Sequence, residues 1–206
     1  MTASERRNLL LGVAKSVFAE LGYDATTVEE IAARAGVSKP VVYEHFGGKE
    51  GIYAVIVDRE SARLLDMLTS RLGPDIGARE QVHASALAFL DYIEDDPAGF
   101  RVLTRDYPAG LSGGGMASLL DGVAAKAEEV LRGFFKRSGV PLESAPLYAR
   151  ALVGMVVHVG GWWAEARTPD KDRVARYLTA LVYHGLERLP RDPTRLQVGT
   201  TAPPTA

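Results

Sequence analysis

Apolar residues recur at three- and four-residue intervals along most of the chain, and no stretch alternates for long enough to read as a strand. Leu10, Val13, Ala14, Val17, Phe18 and Leu21 share one helical face, and Gly22 follows where a C-cap belongs. Thr27 opens a second helix. Thr27 and Glu30 have the spacing of a capping box, Ile31, Ala32 and Ala35 supply the buried side, and Gly36 ends it. Ser38 reads as the N-cap of a third, short helix, with Pro40 tolerated in its first turn. Val37 can staple to Val42 across that cap, and Val42 and Phe46 face inward together. Lys39, Val41, Tyr43 and His45 are left outward, and Gly47-Gly48 stops the helix.

The pattern then predicts a long helix over 49–72 and further helices over 78–94, 97–105, 116–138, 143–166 and 171–189. Gly73-Pro74, the run from Pro108 to Gly115, Gly139 to Pro141 and Thr168-Pro169 are the breaks. Pro97 and Pro169 suit first turns. The expected architecture is all-α. A three-helix unit over 1–50 precedes a larger helical domain over 51–189, and the Pro- and Thr-rich tail over 190–206 lacks apolar periodicity.

Composition narrows the chemistry. The 206 residues are 47% hydrophobic, enough for a sizeable core, and contain no cysteine. Disulfides, thiolate metal sites and cysteine nucleophiles are thereby excluded. Neither a signal peptide nor a membrane span is evident, so a cytoplasmic protein is expected. Net charge is −2, and the first 50 residues hold six Lys/Arg against seven Asp/Glu. A non-specific nucleic-acid coater does not fit that balance, so any DNA affinity has to come from placed charges. His45, His83, His158 and His184 are scattered without a metal-binding spacing. Gly113-Gly114-Gly115 lacks the Gly-Lys-Ser/Thr ending and the preceding strand of a phosphate loop, and Asp95-Asp96 reads as helix-boundary chemistry. No catalytic residue, metal or cofactor is expected.

The second and third helices have the spacing of a helix-turn-helix, which places one helix in the DNA major groove. The free amides at a helix N-terminus attract phosphate, which singles out Ser38 and Thr27. Tyr43 and His45 can donate to phosphate oxygens, and Lys49 adds charge at the start of the next helix. Lys39, Val41 (against a thymine methyl) and Pro40 are the candidates for reading bases.

The segment TTVEEIAARAGVSKPVVYEHFGGKEGIY, Thr26 to Tyr53, with the amphipathic helix before it, resembles the N-terminal domain of the TetR family of bacterial repressors. The match covers about a quarter of the chain. Pro40-Val41 departs from it where many members carry Gly-Thr, which bears on the operator sequence and not on the fold. The resemblance implies a homodimer presenting two recognition helices to a palindromic operator in double-stranded DNA. It further implies a small-molecule effector pocket in the C-terminal domain, a dimer interface from the last two helices, and release of DNA when the effector shifts the fourth helix.

The helix over 143–166 is apolar nearly all round to Trp163, as expected of a helix buried both toward a pocket and toward a partner. Its Gly154, Gly160 and Gly161 permit close approach. Phe89, Tyr92, Phe100, Leu103, Met116, Phe134, Met155, His158 and Trp162 are the pocket candidates, and their character favours an apolar or aromatic effector. Val153, Val157, Gly161, Val174, Leu178, Leu181 and Val182 are the dimer candidates, in a four-helix interface of two copies. The alternatives are a helical ligand-binding or interaction protein without operator binding, or a small all-α enzyme.

Overall fold

The computed structural model describes residues 2–71, 76–104 and 115–192, with side chains from residue 120 in the last stretch. The expected breaks at Gly73-Pro74 and at Pro108 to Gly114, and the tail beyond residue 192, lie outside the described residues. Those residues form α1 (Ala3–Leu21), α2 (Val28–Ala35), α3 (Lys39–Phe46), α4 (Lys49–Ser70), α5 (Ala78–Asp95), α6 (Pro97–Thr104), α7 (Gly115–Ser138), a 3-10 turn (Leu142–Ser144), α8 (Ala145–Ala166) and α9 (Lys171–Glu187). No strand occurs among them, so the fold is all-α as expected. None of their helices is long and apolar enough to cross a membrane.

Local chemistry sets the helix ends. α1 starts at a full capping box: Glu5 N–H donates to Thr2 Oγ1 (3.2 Å) and Thr2 N–H donates to the Glu5 carboxylate (2.6 Å). The apolar pattern, which begins at Leu10, does not mark that start. The box expected at Thr27 is only half made. Thr27 Oγ1 accepts from Glu30 N–H (3.2 Å), but the Glu30 carboxylate turns forward to Arg34 (2.7 Å). Pro97 does occupy a first turn, whereas Pro169 stands ahead of Asp170, whose carboxylate caps α9 through Arg173 N–H (3.0 Å).

Leu10, Ala14, Val17 and Phe18 of α1 are fully or nearly buried with Ile31 and Val42. Burial of each large side chain contributes about 1.5–3 kcal/mol. The same cluster continues through Ile52, Tyr53 and Ile56 of α4 and on to Phe89, Tyr92, Phe100, Trp163 and Leu178. Phe18, Tyr23 and Tyr53 form its aromatic corner, with Tyr53 edge-on to both partners at 5.0 and 4.8 Å. α4 is therefore common to the helix-turn-helix and to the bundle beyond it. A smaller cluster of Leu131, Phe135, Val140, Ala145 and Ala149 joins α7 to α8.

α8 settles against α5 at Gly160, where a Cβ would stand 2.3 Å from the Phe89 ring. Only glycine permits that approach. Gly154 and Gly161, expected to serve the same purpose, face open space.

Candidate nucleic-acid interface and apolar cavity

α3 carries Lys39, Pro40, Tyr43 and Glu44 fully outward, with Val41 and His45 half-buried beside them. Val42 is buried completely and fixes which side of α3 faces in. Lys39 and Tyr43 face outward and Val42 inward as expected, whereas Val41, part of which packs on the core, and His45 are half-buried. Ser38 is the N-cap, with extended backbone and no side-chain cap bond. Its hydroxyl is available to an incoming acceptor. Thr27 is exposed at the N-terminus of α2.

The cations near this face are held in pairs. Lys39 bonds Glu29 of α2, and this contact holds the Glu29 carboxyl below the usual carboxylate range and raises the Lys39 ammonium. Arg34 bridges Glu20 (2.5 Å) and Glu30 (2.7 Å). Exposed pairs of this kind are weak, so phosphate can replace Glu29 at small cost. Lys49 opens α4, at the helix start where it is expected. Its ammonium lies 4.3 Å above the Tyr23 ring and donates to the Tyr23 carbonyl (3.0 Å), so it braces the α1–α2 loop. The reason is the turn at Gly47-Gly48, which brings the start of α4 back under that loop.

Arg7 of α1, which the helical pattern does not single out, donates to the His45 carbonyl (2.7 Å) and lies 4.4 Å over the Phe46 ring. Nothing in the local sequence signals a contact between positions 38 residues apart. A second feature beyond the pattern is the seat of α4 under α3, made possible by Gly51, beside which the Phe46 carbonyl passes.

A cavity of about 390 Å³ lies among α4, α5, α7, α8 and α9. That volume is in the range of small-molecule sites. Leu64, Leu68, Val82, Phe89, Val123, Phe134, Val153, Val156, Val157 and Val182 give it apolar walls, and Gln81, Ser85, Thr69, Lys126, Tyr183 and Glu187 add polar groups.

Of the pocket candidates, Phe89 and Phe134 line this cavity. Tyr92 does not. It is fully buried and its hydroxyl donates to Glu60 (3.0 Å). Phe100 and Leu103 are buried in α6 behind Phe89, with Phe100 edge-on to it at 6.0 Å, and Met155 packs on the core outside the lining. His158 is exposed and Trp162 is 53% exposed, both on the outward side of α8. Met116 lies outside the described side chains.

The dimer candidates divide in the opposite sense. Val153, Val157 and Val182 line the cavity, while Val174 and Leu178 are buried in the chain's own core. Gly161 and Leu181 stay on the outward side, Leu181 at 63% exposure, and Tyr177 at 57% and Leu147 at 69% are exposed as well. The cause is the all-round apolarity of α8. Spacing alone cannot say which of its two apolar faces turns inward, and the close approach at Gly160 decides it.

The family model for bacterial regulatory proteins of the tetR family matches residues 10–56. The transcriptional activator FasR of Mycolicibacterium smegmatis is 31% identical over 188 residues, covering 90% of this chain and 85% of that one. The regulator SrpR of Pseudomonas putida is 35% identical over 92 residues, covering 44% of this chain and 41% of that one. Among solved structures, a TetR-like transcriptional regulator from Rhodococcus sp. RHA1 superposes with a TM-score of 0.72 at 25% identity, covering 89% of this chain and 97% of that one. A helix-turn-helix with its α3 face outward, an apolar cavity behind it and similarity to such regulators along nearly the whole chain lead to one assignment: the protein belongs to the TetR family of bacterial transcriptional regulators.

Proposed function

We propose that this regulator binds a palindromic operator as a homodimer, represses transcription there, and leaves the DNA when a small apolar or aromatic effector enters the cavity among α4, α5, α7, α8 and α9. The observation that carries this reading is the apolar cavity itself, walled in part by α4, the helix whose first turn is seated under α3. An effector that fits one arrangement of α4 better than another shifts the population of DNA-competent dimers.

Ser38, Lys39, Tyr43 and Thr27 supply the phosphate contacts, and Lys39, Pro40 and Val41 face the base edges. His45 adds a contact from the end of α3. The outward apolar side chains of α8 and α9, Leu147, Trp162, Tyr177 and Leu181, form the dimer interface, because so many large exposed apolar groups on these two helices call for a partner. Two α3 helices then have to meet successive major grooves about 34–36 Å apart. The M. smegmatis relative is named an activator, so the direction of regulation is part of the test. The protein is mixed with the DNA flanking its own gene in a gel-shift assay, then in a transcription assay on the same template. A sequence-specific shift with reduced transcript is expected. No preference over random duplex would sink the operator reading, and increased transcript would make the protein an activator.

A further inference from the structure

Lys15 sits on α1, outside the helix-turn-helix contacts and outside the cavity. Its ammonium donates to Glu60 of α4 (2.9 Å) and to Asp96 between α5 and α6 (2.5 Å). Arg63 reaches Asp96 from the other side (2.8 Å), Tyr92 donates to the second Glu60 oxygen (3.0 Å), and Gly99 N–H donates to the second Asp96 oxygen (2.8 Å). The carboxylates are about nine-tenths buried, with side-chain exposures of 10% and 12%. Two buried carboxylates are thus matched by two cations, one of which comes from α1.

The cluster stands between the two working parts of the molecule. Glu60 is one helical turn before Leu64, and Tyr92 is about one turn after Phe89, and both Leu64 and Phe89 line the cavity. Arg7 lies eight residues before Lys15, about 12 Å along the same helix, and holds the carbonyl that ends α3. α1 is thereby tied through Arg7 to the recognition helix and through Lys15 to α4 and the end of α5, two helices that wall the cavity.

We propose that Lys15 is the positioning residue through which the cavity sets the orientation of α3, with α1 as the connecting rod between the Glu60–Asp96 pair and the Arg7–His45 contact. The proposal rests on the reading of the cavity as the effector site. Occupancy that moves α4 against α5 separates Glu60 from Tyr92 and Asp96. Lys15 cannot span both carboxylates after that separation, so α1 follows one of them and carries α3 with it.

The chain contains no cysteine, so introduced ones are its sole labelling points. Glu44→Cys on α3 and Lys136→Cys on α7 take spin labels in the full chain, diluted into excess unlabelled chain so that only the distance within one chain is read. The probe for the cavity is 1-anilinonaphthalene-8-sulfonate. The parent is expected to give one narrow distance that moves by about 2 Å when the probe binds. Lys15→Met is expected to broaden the probe-free distance and to abolish the shift, and Lys15→Arg to restore both. Should Lys15→Met fail to fold, Asp96→Asn, which keeps the side-chain shape, takes its place. A narrow probe-free distance in the neutral variants overturns the proposal, as does a full probe-induced shift in them. Broadening without any probe binding to the parent supports the role of Lys15 and defeats the cavity reading instead.

Discussion

Gly51 lies against the Phe46 carbonyl so closely that a Cβ on Gly51 would stand 1.8 Å from that oxygen. The contact joins the last turn of α3 to the first turn of α4, and it is backbone against backbone. No side-chain rotation can relieve it. Gly51→Ala therefore has to push α3 away from α4, at a cost of about 1–3 kcal/mol, as for other overpacked sites. Thermal melting should show that loss, and DNA affinity should fall further than stability, because the orientation of α3 is what the change disturbs. Unchanged operator affinity in a folded Gly51→Ala protein would refute this account of the seat.

The position of this glycine shows where sequence stops being informative. Local signals are legible: the i, i+3, i+4 stripe from Leu10 to Phe18, the caps at Thr27 and Ser38, the inward Val42 and the glycine pair after α3 all appear as spacing within a few residues. Contacts between distant segments are not. Arg7 with His45, Lys15 with Glu60 and Asp96, and Gly51 with Phe46 depend on how helices cross, which periodicity does not encode. α8 shows the same boundary inside one helix. Its existence and limits follow from hydrophobicity, but Val153 and Val157 face the cavity while His158 and Trp162 face outward, the reverse of the expectation, since an all-round apolar helix leaves its rotation open.

Glu29 competes with DNA for Lys39. Glu29→Gln frees that ammonium without altering the shape of α2, and it should raise affinity for any duplex several-fold. Lys39→Ala should lower affinity and relax the preference at the base pair that Lys39 faces, and Tyr43→Phe should lower affinity evenly across sequences. Titrations at several salt concentrations separate these effects, since loss of a phosphate contact reduces the salt slope by about one. Equal affinities for Glu29→Gln and the parent at every salt concentration would show that the pair opposes nothing.

The cavity predicts its own block. Val156 lines it from α8, and Val156→Trp fills space with apolar volume. Binding of 1-anilinonaphthalene-8-sulfonate should fall by at least about tenfold, the equivalent of about 1.4 kcal/mol, while DNA binding persists. A filled variant that binds the probe as the parent does would place the probe elsewhere.

Leu178 and Leu181 stand three residues apart on α9, and the edge of its buried face runs between them, leaving one buried and the other 63% exposed. Leu181→Glu combined with Trp162→Glu should leave a folded monomer in sedimentation. Leu178→Ala should instead destabilise the fold by about 2–5 kcal/mol while leaving the assembly state of the folded fraction alone. A dimer that survives both outward charges would remove the outward side chains of α8 and α9 from the interface.

Asp96 makes the polar cluster sensitive to acid. Burial opposes its charge, yet the Lys15 hydrogen bond, the Gly99 N–H and the charges of Lys15 and Arg63 outweigh burial and hold its carboxyl below the ordinary 3.8. Lys15 shows the converse. Burial would lower its ammonium, but the bonds to Asp96 and Glu60 raise it above 10.5. A lowered carboxyl stabilises the fold above its unfolded value and loses that contribution as pH falls through its folded value. A raised ammonium stabilises below its unfolded value and loses it as pH rises through its folded value. The contributions of Asp96 and Lys15 are therefore both complete between about pH 4 and about pH 10. Asp96→Asn should be less stable than the parent by about 2 kcal/mol at neutral pH, below the full cost of breaking a buried pair because Lys15 still meets water. The groups facing Asp96, namely Lys15, Arg63, Glu60 and Tyr92, are present in both proteins, and so are the remaining carboxylates. The difference between the two stabilities reports the Asp96 charge. It should shrink as pH is lowered from about 4 toward 2, where the parent carboxyl also becomes neutral. Denaturant titrations of both proteins across that range measure it, and a difference that stays constant to the lowest pH would mean that Asp96 is not held as a carboxylate by Lys15.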